Sequence, residues 1–448
     1  MHRLHYGRSS DGTFLPSLLK KRKEKASTFP RDAAFVTAFA AARTTPRRHH
    51  RESSMPFVPA LIGRGRMSPF ETPAKGSFGT LRAPLDSQAS KPQGSAYDDM
   101  DAGSPMTHEA LQTLGAVATE ERIGAAAARR MTEVIHAVGP DLAEVELLLA
   151  ESSQTGASPG TSAAAHLLGA GGKRIRPVAL LLASSMYTRS SRATHELAAV
   201  AELVHGATLL HDDVIDDAPE RRGQAAARTV WGNAVSVLGG DLMLTHALSR
   251  CHAVGHQAIF AHLLQTLRTL VDGEIVQLRG RTALDLRAET YFHIANAKTA
   301  SLFDWATTSG ARIAGAPEEH ALALGRFGVH LGLAFQLVDD VIDYAGTSEV
   351  TGKALFADLR EGKVTLPLVY ALERDPSVAA HVEAIRAGDE LAALRLGPAI
   401  VATDGCDRVR TLAESHTKSA LAELAALPQS PSRDLLAAVA SDLVARLH

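Results

Sequence analysis

The sequence predicts an all-α protein. Three observations carry that expectation. Alanine and leucine are abundant while aromatics make up only 5% of the chain, a composition that favours helix over sheet. From about residue 107 to the end, apolar residues recur at helical spacing in segments of roughly 12 to 25 residues. No alternating strand run and no short internal repeat breaks that pattern. The chain is 448 residues long, enough for one large helical domain and an extension.

Residues 1–105 differ from the rest. They hold Pro-, Ser- and Gly-rich pieces, the basic run Lys20 to Lys23 and an Arg/His cluster from Arg47 to Arg51. No apolar helical period persists, so disorder is expected. Three origins fit this stretch: an extension upstream of a later start at Met55, Met67, Met100 or Met106, a basic transit peptide, or a genuine basic tail. No apolar h-region follows Met1. Residues 106–448 are expected to form the folded domain, with Gly and Pro marking helix ends at Val138 to Pro140, Gly169 to Gly172, Gly223, Gly239-Gly240, Gly315 to Pro317, Gly346, Gly362 and Pro428.

Composition excludes several classes. The 47 basic and 49 acidic residues nearly cancel, which argues against a dedicated nucleic-acid binder. Cys251 and Cys406 cannot build a disulfide framework, so a reducing compartment is expected, cytoplasmic unless the basic N-terminus is an organellar address. No run of about 18 apolar residues is evident to span a bilayer.

Two segments carry the chemistry. Thr194 to Leu210 is apolar on every face, as an interior helix is, and runs into His211-Asp212-Asp213-Val214-Ile215-Asp216-Asp217. A second helix opens at Pro317-Glu318-Glu319, with Pro in the first turn and acids at the positive end. It continues through Leu322 to Val338 and reaches Asp339-Asp340-Val341-Ile342-Asp343. Each cluster reads DDxxD, which puts the first and last Asp on one helix face. Carboxylates four apart repel, oppose the negative end of the helix dipole and resist burial. One such cluster is commonly a solvated helix end. Two identical clusters, each closing a core helix, point to a shared cation. Oxygen-only ligands suit Mg²⁺ held together with substrate phosphates.

Cations stand nearby in sequence. Gly171-Gly172-Lys173-Arg174-Ile175-Arg176-Pro177 precedes the first helix, and Arg221-Arg222-Gly223 follows its cluster. A Gly pair before Lys and Arg lets backbone and side chains approach an anion. Later come Lys298-Thr299, Gly352-Lys353 and Lys363. Taken singly, each Lys is ordinarily a surface residue. His205 lies two helical turns before Asp212 on the same face, and Gln336 one turn before Asp339. A lone His or Gln on such a helix is ordinarily a satisfied core residue; beside a metal–phosphate site each becomes a candidate ligand.

In order, GGKRIRP, HDDVIDD with RRG, GEIVQL, AKTASLF, FQLVDDVID and GK…DLREGKVTLP resemble the trans-prenyltransferases, the polyprenyl diphosphate synthase family. The resemblance covers roughly Glu120 to His448. It implies an isoprenoid-synthase-type helical bundle around a central cavity, and head-to-tail condensation of isopentenyl diphosphate with an allylic diphosphate. It assigns Asp212, Asp213 and Asp216 to the first metal motif, and Asp339, Asp340 and Asp343 to the second. It assigns Lys173, Arg176, His205 and Arg222 to isopentenyl diphosphate. Arg221, Lys298, Thr299, Gln336, Lys353 and Lys363 fall to the allylic substrate. Asp212, Asp216, Lys298 and Gln336 are the expected catalytic set. Six aspartates and a diphosphate call for about three Mg²⁺. One departure is Gly206, where the family usually has Thr. The resemblance also implies a homodimer, and long insoluble products bring transient membrane contact into the reading.

In the family, aromatics four or five residues before the first Asp stop chain growth. Those positions here are Thr208 and Ala207, with Val204 one turn further. None is aromatic, so a medium or long product is expected, octaprenyl- or solanesyl-like and suited to a quinone side chain. The alternatives are a farnesyl or geranylgeranyl synthase, a class I terpene cyclase, and a subunit of a heteromeric synthase. A phosphohydrolase built on His211-Asp212 with His166 or His195 is a further rival.

Overall fold

The structure is a computed structural model. It describes residues 125–280, 285–345, 359, 363–386 and 389–445. The chain divides into the units Met1–Gly94 and Ser95–His448, and every described residue belongs to the second. The N-terminal extension, Gly346, Lys353 and Gly362 lie outside the described residues.

The described chain is helical, as expected. In order it forms α1 (Ala125–Gln154), α2 (Gly160–Gly169), α3 (Ile175–Ser185), α4 (Arg192–Ile215), α5 (Ala227–Trp231), α6 (Asn233–Ala253) and α7 (Gln257–Gly280). Then come α8 (Ala288–Ala295), a π turn (Asn296–Ala300), α9 (Ser301–Ile313) and α10 (Glu318–Ala345). The chain closes with α11 (Leu366–Arg374), α12 (Val378–Arg386), α13 (Glu390–Val401), α14 (Gly405–Ala425) and α15 (Pro431–Ala445). One small departure from the all-helical expectation is an antiparallel pair, β1 (Glu220–Arg221) and β2 (Gln224–Ala225).

Helices α4 and α10 are the two that end in aspartates, and both run through the core. Leu197 to Val204 of α4 are fully buried, between α1, α3, α6 and α9. The start of α4 is fixed by a capping box: the Ser191 hydroxyl accepts from the Thr194 N–H, and the Thr194 hydroxyl accepts from the Ser191 N–H. Helix α10 packs on α9 and α14. Its Gly325, Gly328 and Gly332 face α9, where a Cβ would collide with Asp304 and Thr308, with Thr307 and the Phe303 carbonyl, and with Ala300. That close approach lets Thr307 Oγ1 donate to the Leu324 carbonyl at 2.7 Å.

Two expected helix breaks are not breaks. Pro140 lies inside α1, and Gly239-Gly240 inside α6. The α6 glycines answer a packing need instead: a Cβ on Gly240 would strike the His211 ring, and one on Gly239 would come 3.2 Å from the Gly160 carbonyl. Gly206 has the same explanation, because the Met243 side chain of α6 fills the space its own side chain would take. The expectation that nothing is apolar enough to span a bilayer is also corrected: α10 passes by length and composition. It is nevertheless a core helix, with two thirds of that apolar window buried in the bundle.

At the crossing of α10 and α14, His330 Nδ1 and His416 Nδ1 lie 3.0 Å apart, so one donates and one accepts. Burial, then His330, pushes His416 down to about 4, and burial lowers His330 as well. An unfolded His titrates near 6.5, so the unfolded chain takes up the proton first as pH falls. The contribution of His416 is therefore complete above about pH 6.5 and lost on the way to pH 4, a change on the order of 3 kcal/mol. Urea titrations at pH 7 and pH 4.5 test this. His416→Gln is expected to remove much of the acid sensitivity, and a difference between variant and wild type that does not change with pH would contradict it.

Candidate active site

A single cavity of about 1510 Å³ collects most of the sequence-predicted residues. Lys173, Arg176, His205, Asp212, Arg221, Arg222, Lys298, Thr299, Gln336, Asp339, Asp340 and Lys363 all line it. Asp213, Asp216 and Asp343 are not among the described lining residues, and Lys353 falls outside the described chain.

The end of α4 and its C-cap hand three aspartates to different partners. Asp212 faces the cavity, 3.7 Å from Lys298 Nζ. Burial pushes its carboxyl up to about 6; Glu274 and Asp216 add repulsion against the pull of Lys298 and Lys363. Asp216 accepts from Lys363 Nζ at 2.7 Å. Asp213 is fully buried and accepts from Arg221 Nε at 2.7 Å, with Arg221 Nη2 at 2.6 Å. One oxygen of Asp213 therefore orients Arg221, and the other, Oδ2, has no hydrogen-bond partner among the described residues.

The second cluster is organised around Gln336. Thr299 Oγ1 donates to Gln336 Oε1 at 2.7 Å, and Gln336 Nε2 donates to Asp340 Oδ1 at 2.8 Å. This chain fixes which way the amide points, with its oxygen toward the π turn and its nitrogen on the aspartate. Lys298 and Thr299 reach the cavity from the π turn, a local widening of the helix of the kind found at functional sites. Lys298 also pairs closely with Glu274 of α7. Glu274 sits in the GEIVQL stretch, but sequence alone gave it no role.

The same cavity carries the cations. Lys173 Nζ lies 5.6 Å from the centroid of the Phe335 ring, and the Arg176 guanidinium 4.9 Å from that of Phe303. Arg176 Nε is buried with no hydrogen-bond partner among the described residues. Burial lowers Arg176 to about 10, against the attraction of Glu202 and Asp339, so it stays charged at neutral pH. Arg222 has a left-handed backbone (φ 54°) in the turn between β1 and β2, which sends its guanidinium back to the Gly171 and Leu167 carbonyls. Burial, followed by Arg176, pushes His205 well below its usual range, so its imidazole is neutral.

This donor set fits a divalent cation. Asp212, Asp339 and Asp340 bring carboxylate oxygens to the cavity wall, and burial pushes Asp212 toward protonation, a cost that a bound cation would offset. Oxygen ligands of this kind suit Mg²⁺, which binds through one or two carboxylates and completes its shell with water and phosphate. The phosphohydrolase rival loses its ligands. His211 Nε2 contacts the Val237 carbonyl at 3.1 Å, His166 Nε2 the Ala225 carbonyl at 2.8 Å and His195 Nε2 Asp141 at 2.9 Å. Each is occupied elsewhere.

Comparisons with known proteins agree with this site. The sequence profile of the family described as Polyprenyl synthetase matches residues 160–393. The chain is 38% identical over 297 residues to heptaprenyl diphosphate synthase component 2 of Geobacillus stearothermophilus, spanning 66% of this chain and 92% of that one. It is 36% identical over 286 residues to the octaprenyl diphosphate synthase of Escherichia coli K12, spanning 63% and 88%. Among solved structures, the polyprenyl synthase of Caulobacter crescentus CB15, complexed with calcium and isoprenyl diphosphate, superposes with a TM-score of 0.67 at 35% identity, over 70% of this chain and 96% of that one. With two aspartate-ended core helices and a cluster of cations lining one cavity, and with these likenesses over most of each relative, the chain belongs to the polyprenyl synthetase family and is a trans-prenyltransferase.

Proposed function

We propose that the protein condenses isopentenyl diphosphate head-to-tail with an allylic diphosphate, using Mg²⁺, to give an all-trans polyprenyl diphosphate of medium or long chain. The product would suit a quinone side chain. The observation that carries this reading is the pairing of two differently built anion sites in one cavity. One is acidic and needs metal; the other is already cationic. Two diphosphate substrates need both, whereas a terpene cyclase would leave Lys173, Arg176 and Arg222 idle.

Bound Mg²⁺ would be held by Asp212 on α4 and Asp216 at its C-cap, and by Asp339 with Asp340 on α10, and would neutralise the departing diphosphate. The protein's own groups do the rest. Lys298 and Lys363 now lie against aspartates, and both are placed to turn to the diphosphate as its charge develops. Lys173, Arg176, neutral His205 and Arg222 hold the second diphosphate and orient its alkene, replacing an encounter in solution by a fixed geometry. The anchored Gln336 carbonyl stands beside the developing carbocation. No described side chain is placed as a base, and the released diphosphate takes the final proton.

The heptaprenyl and octaprenyl synthases among the relatives support a long product, as does the lack of an aromatic at Thr208. A homodimer is part of the proposal, as the family resemblance implies. The test is chromatography of products made by the purified chain alone from Mg²⁺, isopentenyl diphosphate and geranyl, farnesyl or geranylgeranyl diphosphate. Products longer than geranylgeranyl are expected. Farnesyl or geranylgeranyl as the end product would overturn the chain length, and consumption of primer without isopentenyl diphosphate would favour the cyclase.

A further inference from the structure

Between the two isopentenyl-side cations, Lys173 and Arg176, lies Arg174, and it does something different. It is fully buried, with a left-handed backbone (φ 48°, ψ 28°) at the N-cap of α3. An arginine holds that conformation only where its surroundings impose it. Here they do. Nε donates to Glu146 Oε1 at 2.7 Å, Nη1 to Glu202 Oε1 at 2.8 Å, and Nη2 to Glu146 Oε2 at 3.2 Å and the Leu168 carbonyl at 3.3 Å. Those four bonds nearly exhaust the five N–H donors of a guanidinium. Arg174 therefore has little left for a substrate, whereas Arg176 keeps a buried Nε without a partner.

The partners come from three helices. Glu146 is on α1, Leu168 at the end of α2, and Glu202 on α4, one turn before His205. Both carboxylates are almost completely buried. Glu202 also lies near Arg222 and Arg176, and despite burial these guanidinium groups, with Arg174 foremost, hold its carboxyl down at about 2. The same corner is closed by Gly172, where a Cβ would come 2.9 Å from the Arg174 guanidinium and 3.1 Å from that of Arg222.

We propose that Arg174 is the positioning residue of the isopentenyl diphosphate subsite: its fork on Glu146 and Glu202 fixes the backbone from which Lys173 and Arg176 enter the cavity. Glu202 is the counter-charge that keeps the cation cluster assembled before substrate arrives. This rests on the reading above that the cluster binds isopentenyl diphosphate.

Steady-state kinetics with both substrates varied, on the full chain with Mg²⁺, tests it. Arg174→Lys keeps the charge but cannot span both carboxylates. It is expected to raise KM for isopentenyl diphosphate at least tenfold, with KM for farnesyl diphosphate and kcat at saturation within twofold of wild type. Glu146→Gln retains one hydrogen bond and guards against a folding failure in the first variant. It is expected to move the same KM about threefold in the same direction. Equal changes in both KM values, a fall in kcat alone, or no change in folded Glu146→Gln protein would overturn the proposal. If wild type fails to condense isopentenyl diphosphate at all, the functional reading has failed instead.

Discussion

Asp212→Asn and Asp339→Asn are each expected to lower kcat by ~10³-fold, about 4 kcal/mol of transition-state stabilisation, while leaving the fold intact. The reason lies in the structure of α4 and α10. Both carboxylates face the cavity at the ends of core helices, and Asp212 is already pushed toward protonation by burial. An amide of the same shape removes the cation ligand at either position, and at Asp212 it also removes a charge that burial disfavours. Metal-free Asp212→Asn protein should therefore melt no lower than wild type. Wild type should gain thermal stability from Mg²⁺ with inorganic diphosphate, by linkage, and the variants should gain much less. Asp213→Asn is expected to act more mildly and through primer affinity, because Asp213 holds Arg221. Turnover within threefold of wild type in Asp212→Asn, measured by incorporation of labelled isopentenyl diphosphate, would contradict this.

Thr208→Phe is expected to shorten the product by two or more isoprene units. Thr208 lines the cavity one turn before Asp212, beside Leu209. Ala207 does not line it. That residue is buried toward α6, where a Cβ on Gly240 would meet the Ala207 carbonyl at 3.1 Å. Val204 is likewise in the core. Ala207→Phe is thus expected to overpack the α4–α6 contact, costing about 1–3 kcal/mol, without shortening the chain. Product chromatography of the two variants separates these outcomes. A short product from Ala207→Phe and an unchanged one from Thr208→Phe would place the cavity floor wrongly.

The helical fold and the two acidic helix ends were legible because both depend on local pattern. All-round apolar helices, a Pro–Glu–Glu start and carboxylates four apart need no knowledge of neighbours. The separation of Thr208 from Ala207 was legible in principle too, since positions three, four and seven before Asp212 share its face and position five does not. Other features were hidden because they exist only between segments. Glu146 and Glu202 each lie 28 residues from Arg174 and look like surface charges until the bundle buries them. Glu274 looked like another helix glutamate until the π turn brought Lys298 to it. Gly239-Gly240 and Gly206 read as a break and an anomaly, yet both make room for side chains of a neighbouring helix. Asp213 belongs to the first motif but not to the described cavity wall, because helix phase turns it aside to Arg221.

Metal-stripped protein titrated with MgCl₂ in the presence of farnesyl diphosphate and labelled isopentenyl diphosphate probes the central claim most directly. No label should enter polyprenyl product before metal is added, and incorporation should rise with Mg²⁺ to the rate of untreated enzyme. Full-rate incorporation in excess chelator would contradict the claim that the two acidic helix ends work by gathering divalent cations around diphosphate.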